Sequence, residues 1–444
     1  QLLIGTVKAA VTGATFSMEA EPDWLSFYAL AGRHGLLPLA YDGLQKTPIL
    51  WQQLPQDVQN GLFTAYMQAI YRDAQAEHLK QQLQKALQRA CVPHIFLKGA
   101  VLKYDYPEPA LRTMSDLDIL VCAKDFDAIA EVANDLGGKA VTGDGNHRNY
   151  LFPGKVAVEF HPNLLHHATP IGTGINPGWQ YAKDMQESFS KELTEEGFYL
   201  NTICHLASHF VDGGVGVRFV LDVWVSRHLR KAQLDRTFVE AELTRFGLMD
   251  FTKNIEALAD VWFGDLLMTP LLEELGEYIL TSGSHGTTDR AMLNALSLSP
   301  GGNRFSALWK RAFYPRTELE DRFLWCKGKP LLLPAAWCAR AFHAVTKHGS
   351  LIAQWGKGTG EISKEEISEQ ATLLARFGIQ NKSFMTSIKN TNMVRCDSCG
   401  TQGDMFCTGD NKRHYSHSVC SNMKERHVIE EIAESRGFTP GKKY

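Results

Sequence analysis

The segment Asp116-Leu117-Asp118-Ile119-Leu120-Val121 constrains this chain more than any other. Side chains alternate across a β-strand, so Asp116 and Asp118 project to one face while Leu117, Ile119 and Val121 line the other. Two carboxylates that close repel each other unless something cationic lies between them. A divalent ion is the expected resolution, magnesium above all, because it takes carboxylate and phosphate oxygens. A second strand strengthens the expectation. In Val156-Ala157-Val158-Glu159-Phe160-His161, Val156, Val158 and Phe160 take the core side, and Glu159 and His161 share the other. If the two strands pair, Glu159 completes a cluster of three carboxylates. Such a cluster holds two metal ions in the arrangement that phosphoryl and nucleotidyl transfer require.

The neighbouring residues suit the same chemistry. Lys98-Gly99 follows the strand Ile95 to Leu97 at the point where a helix is expected, so backbone N–H groups and an ammonium face a phosphate there. Arg112, with its planar fork, is a candidate phosphate clamp, against the plain alternative of a surface arginine. His161 either orients Glu159 or touches substrate, or is a hydrogen-bonded structural histidine.

Around this segment the pattern is helical. Residues 1–91 predict a helical region with core stripes at Trp24, Leu25, Tyr28 and Leu30 and at Leu79, Leu83 and Leu87. Residues 92–190 form the α/β core, with a helix from Lys124 to Leu136 and a hairpin whose turn is Pro153-Gly154-Lys155. A second helical region covers 191–380, broken at Gly213-Gly214 and by a loop-like stretch from Gly283 to Asn303, with a charged helix from Lys364. A Cys/His-rich tail occupies 390–444. With 444 residues and 44% hydrophobic content the chain buries a large core, and no apolar run reaches the roughly 18 residues of a membrane helix. A net charge of −3 gives no strong nucleic-acid signature. No secretory signal is read at the start, so a cytoplasmic location is expected.

Cys91, Cys122, Cys204, Cys326 and Cys338 are read as reduced, buried thiols. The tail cysteines differ. Cys396-x2-Cys399 and His417-x2-Cys420 have the two-knuckle spacing of a structural zinc site, with Cys407 and His414 as alternative ligands. Such a site, followed by a helix from Met423 to Arg436, suits partner docking or simple capping; the competing reading is a disordered tail with free thiols. His205 and His209 share one helix face at i, i+4, but the glutamate of the HExxH pattern is missing. They are read as packing residues, with His209, Asp222 and His161 bordering an acceptor pocket.

The run Leu97-Lys98-Gly99-Ala100, with Leu102, Tyr104, Pro107 and Arg112, then Ser115 to Val121 and Val158-Glu159-Phe160-His161, resembles the bacterial uncharacterised nucleotidyltransferase family. That family is placed in the DNA polymerase β-like superfamily. The likeness extends to Trp24 to Leu44, to His205, His209, Arg218 and Asp222, and to Phe313-Tyr314-Pro315 and Leu332 to Arg340, about residues 20–378. It implies an α+β fold, a small mixed-sheet polymerase β-like core flanked by N-terminal and C-terminal helical regions. It further implies that Asp116 and Asp118 ligate both of two Mg2+ ions while Glu159 ligates the nucleophile-side ion and helps deprotonate the acceptor. Lys98, Gly99 and Arg112 would bind the NTP phosphates. Two positions depart from the superfamily: Lys98-Gly99 replaces a Gly-Ser, and the third acid is Glu instead of Asp. The acceptor, whether protein, sugar phosphate, small metabolite or RNA, is not specified. The alternative is a non-catalytic nucleotide-binding or scaffold protein whose zinc-stapled tail docks a partner.

Overall fold

A computed structural model describes residues 1–18, 21–141, 147–163, 178–183, 188–230, 233–284, 286–299, 316, 319–320, 323–342, 346 and 362–379, and the backbone of 392–395, 402–407 and 413–415. The fold is a mostly helical α+β arrangement around one six-stranded mixed sheet. Helices α1 (Leu2–Thr12), α2 (Trp24–Arg33), α3 (Leu37–Gln45), α4 (Pro48–Gln53) and α5 (Gln56–Arg89) precede the sheet. The strands are β1 (His94–Phe96), β2 (Asp116–Val121), β3 (Lys139–Val141), β4 (Arg148–Phe152), β5 (Val156–His161) and β6 (Ser190–Lys191), in the order β3-β4-β5-β2-β1-β6. Short helix α6 (Gly99–Leu102) follows β1, and α7 (Phe126–Asp135) follows β2.

The expected hairpin is present. Gly154 (φ 77°) and Lys155 (φ 61°) turn the chain through the left-handed region, which returns β5 antiparallel to β4. The other edge of β5 pairs parallel with β2, Asp118 directly beside Glu159.

Both faces of the sheet are covered. Leu117, Ile119, Val121, Val158 and Phe160 pack against α5 and α7, where the stripe Leu79, Leu83 and Leu87 is buried as expected. On the opposite face, Ile95, Leu97, Leu120 and Cys122 join a larger core shared by α1 to α4 and the later helices. Those are α8 (Glu195–Val211), α9 (Val217–His228), α10 (Arg236–Phe246), α11 (Met249–Phe263), α12 (Pro270–Ser282) and, after α13 (Thr288–Ser297), which adds no residue to this core, α14 (Lys364–Arg376). Side-chain caps start several of them: Thr194 accepts from the Gly197 N–H at α8, Asp235 from Phe238 at α10, and Ser363 with Glu366 forms a capping box at α14. Helices α1 and α3 cross closely because Gly43 has no side chain; a Cβ there would lie 1.9 Å from the Thr6 carbonyl oxygen.

Some expectations are corrected. Leu25 is 70% exposed and does not belong to the stripe that buries Trp24. The stretch expected as a loop from Gly283 contains α13, started by the Thr287 cap. Cys91 and Cys338 are exposed, whereas Cys122, Cys204 and Cys326 are buried free thiols as expected. In the tail, β7 (Asn392–Arg395), β8 (Gln402–Cys407) and β9 (Arg413–Tyr415) form an antiparallel sheet. Cys396, Cys399, His417, Cys420 and the helix expected from Met423 lie outside the described residues, as does Phe313 to Pro315. No helix among the described residues is long and apolar enough to cross a membrane.

Candidate active site

The site lies on the sheet face that the C-terminal helices cover, where β2 and β5 run side by side. Asp118 is 6% exposed, and burial alone would drive its carboxyl towards the neutral form. Two cations prevent this. The Lys98 ammonium donates to Asp118 Oδ1 at 2.7 Å, and His161 Nε2 donates to the same oxygen at 2.8 Å. Together they hold the Asp118 carboxyl far below the usual carboxylate range. His161 Nε2 also lies 3.3 Å from Glu159 Oε2. Burial disfavours its imidazolium, but the bonds to Asp118 and Glu159 outweigh burial and raise its pKa. The bond from His161 likewise lowers the Glu159 pKa against burial. The charge of Asp118 is thus balanced by residues of the chain itself, one from the turn after β1 and one from β5.

Among the described residues, the group able to hold a metal ion is Asp118, Glu159 and His161, whose ligand atoms all lie within 4.8 Å of one another. Asp116 is not in this group; its carboxylate accepts from the Ser115 hydroxyl. Burial and then the charge of Asp118 raise its pKa, with partial relief from Lys98. The donor set fits a divalent cation on a further count. Asn149 is the cross-strand neighbour of Glu159 and shares its sheet face, and its carbonyl Oδ1 is buried with no hydrogen-bond partner among the described residues. Carboxylate oxygens plus a spare amide carbonyl are ligands for a hard cation, and the imidazole widens the choice to manganese or zinc.

Lys98 sits at φ 50°, ψ −124°, a backbone conformation that costs a non-glycine residue strain and turns its side chain back over Asp118. A side chain at the next residue would displace its neighbours. A Cβ on Gly99 would lie 2.6 Å from the Met114 side chain and 2.7 Å from Arg112 Nη1. Met114 and Arg112 are the side chains in closest approach to Gly99.

Arg112 is not a surface arginine. Its Nε and Nη2 donate to the two oxygens of Asp222 at 3.2 and 2.7 Å, and Nη1 donates to the Thr113 carbonyl at 3.1 Å. The buried Tyr106 hydroxyl donates to Asp222 Oδ1 at 2.7 Å. Asp222, expected at an acceptor pocket, is therefore the anchor of Arg112. Arg218 adds a bond from Nη1 to the Thr113 carbonyl at 2.9 Å, so α9 grips the segment leading into β2 at two points. His205 and His209 are edge to face, 4.4 Å between ring centres, and both pack on Phe219. Burial and then the Lys98 charge press the His205 pKa well down.

One residue escaped the sequence reading. His147 lies with its ring centre 5.4 Å from that of His161, and its pKa falls through burial and then the charge of His161. The signal was available in the hairpin. Its register pairs Arg148 with Phe160, so the residue before Arg148 stands opposite His161.

A family model described as "Uncharacterised nucleotidyltransferase" matches residues 20–264. The match ends near the close of α11, short of the likeness traced in the sequence to residue 378. No curated protein and no solved structure matches the chain.

Proposed function

Because the chain belongs to the uncharacterised nucleotidyltransferase family, we propose that it moves a nucleoside monophosphate from an NTP to an acceptor at Asp116, Asp118 and Glu159. The observation that carries this reading is the parallel pairing of β2 with β5, which aligns Asp118 with Glu159 on a face already bearing Lys98. In this reading the small mixed sheet is a polymerase β-like core. Two magnesium ions held by the three carboxylates, with His161 and Asn149 beside them, would supply the positive charge that phosphoryl transfer requires.

The protein's own residues have separable tasks. Glu159, kept ionised by His161, takes the proton from the acceptor hydroxyl. Lys98 has N–H groups beyond the one bonded to Asp118, and these meet the phosphates beside the Gly99 backbone. Arg112, oriented by Asp222, retains two unused N–H groups for a phosphate oxygen. His205, His209 and the helices above the sheet limit water access. For the tail we propose a structural zinc held by Cys396, Cys399, His417 and Cys420.

The test is magnesium-dependent NTP binding and pyrophosphate release in the wild type and in Asp116→Ala with Asp118→Ala. Loss of binding and turnover together in the variant is the expected result. Nucleotide binding by the wild type without turnover on any acceptor class would instead favour a nucleotide-binding protein that does not catalyse.

A further inference from the structure

The face of α5 that meets the segment entering β2 sets the small side chains Ala65, Ala69 and Ala76 among Gln68, Arg72 and Asp73. Ala65 and Ala69 leave a cleft of about 230 Å³ between α5, the start of α3 and residues 110–114. Whole-ligand pockets run to roughly 300–1,000 Å³, so this cleft takes one ring system and leaves the rest of a ligand outside. Met114 and Arg112 are among the residues that line it. They are also the two side chains in closest approach to Gly99, so one layer of side chains separates the cleft from the Lys98-Gly99 turn. A ligand whose phosphates lie on that turn would have to pass around this layer for its base to enter the cleft.

The polar residues of the cleft divide into two kinds. Asp73 is bonded to Lys103, and Arg112 to Asp222. Gln68 and Arg72 are exposed at the rim and make no side-chain hydrogen bond or ion pair among the described residues. An amide presents a donor and an acceptor side by side, and a guanidinium presents a fork of donors. Both geometries match purine edges, glutamine to adenine and arginine to guanine.

We propose that this cleft seats the purine base of the donor nucleotide, its faces against Met114 and the α5 alanines and its edge hydrogen-bonded to Gln68 and Arg72. The inference rests on the nucleotidyl-transfer reading, and the experiment separates the two. Affinities of the full-length protein for ATP, GTP, CTP, UTP and inorganic tripolyphosphate, each with magnesium, are measured by calorimetry. Wild type binds the purine nucleotides about tenfold more tightly than the pyrimidine ones, the discrimination that one well-made hydrogen bond provides. Gln68→Ala with Arg72→Ala, both at exposed positions, removes that preference, and Ala65→Leu fills the cleft with the same result. Tripolyphosphate binds all three proteins equally. A wild type that binds the four nucleotides alike, prefers pyrimidines, or keeps its purine preference in the variants overturns the cleft assignment and leaves the transfer reading standing. A wild type that binds neither nucleotide nor tripolyphosphate overturns both.

Discussion

Asp222→Ala is the most direct test of how the helical region shapes the site. In the folded protein Asp222 accepts two charged hydrogen bonds from Arg112 and one from Tyr106, and the side chains of the ion pair are 11% and 8% exposed. Removing the carboxylate leaves a buried guanidinium whose one remaining bond runs to the Thr113 carbonyl. Breaking a buried pair in this way costs about 3–5 kcal/mol, because the surviving charge stays out of water without compensation. The orphaned Tyr106 hydroxyl moves the cost to the upper part of that range, since an unsatisfied buried donor costs about 1–3 kcal/mol by itself. Urea unfolding followed by tryptophan fluorescence reports the loss as a lower midpoint at unchanged slope. Arg112→Leu and the double variant complete a cycle. If the pair acts as a unit, the double variant costs less than the sum of the singles, with a coupling of about 2 kcal/mol or more. A single-variant loss below about 1 kcal/mol, or strictly additive losses, would refute the anchoring argument.

Further outcomes follow from other contacts. Burial raises the Glu77 pKa, but the Tyr104 hydroxyl and the Lys103 ammonium override it and lower the value from 4.5 to about 2. The stabilisation is complete above pH 4.5 and disappears as the pH falls towards 2. Glu77→Gln should therefore be less stable than wild type at neutral pH and less acid-sensitive across that window; parallel curves in urea titrations at stepped pH would count against this. Gly43→Ala should cost about 1–3 kcal/mol or more through overpacking, since the added methyl meets the Thr6 backbone; an unchanged thermal midpoint would disprove the close α1–α3 crossing. The purified chain should carry about one zinc per molecule, as a single two-knuckle site requires. Elemental analysis of Cys396→Ser with Cys399→Ser should show it lost, and unchanged zinc would sink the proposed ligands.

Much of the sheet was legible in the chain because its signals are short-range. Alternation within six residues assigns Leu117, Ile119 and Val121 to one face and the aspartates to the other, and Gly154 supplies the left-handed turn that sets the β4–β5 register. The same register would have revealed His147. A capped α13 was less visible, because Thr287 follows a glycine-rich stretch whose composition alone suggests a loop.

Taken alone, the sequence determined which residues share a strand face, where the hairpin turns, and that acids and a lysine-glycine turn belong to one small core. Those properties depend on the period of the strand and on single-residue conformations, which act over a few positions. Only the tertiary structure decided how the charges are balanced. Asp118 is neutralised by Lys98 and His161, each reaching it from a different strand or turn, and Arg112 is anchored by a residue 110 positions away on α9. The sequence anticipated a cation beside the paired aspartates, and in this structure Lys98 and His161 bring positive charge to Asp118. A buried carboxylate requires positive charge nearby, and chain closure over long separations determines which side chains provide it.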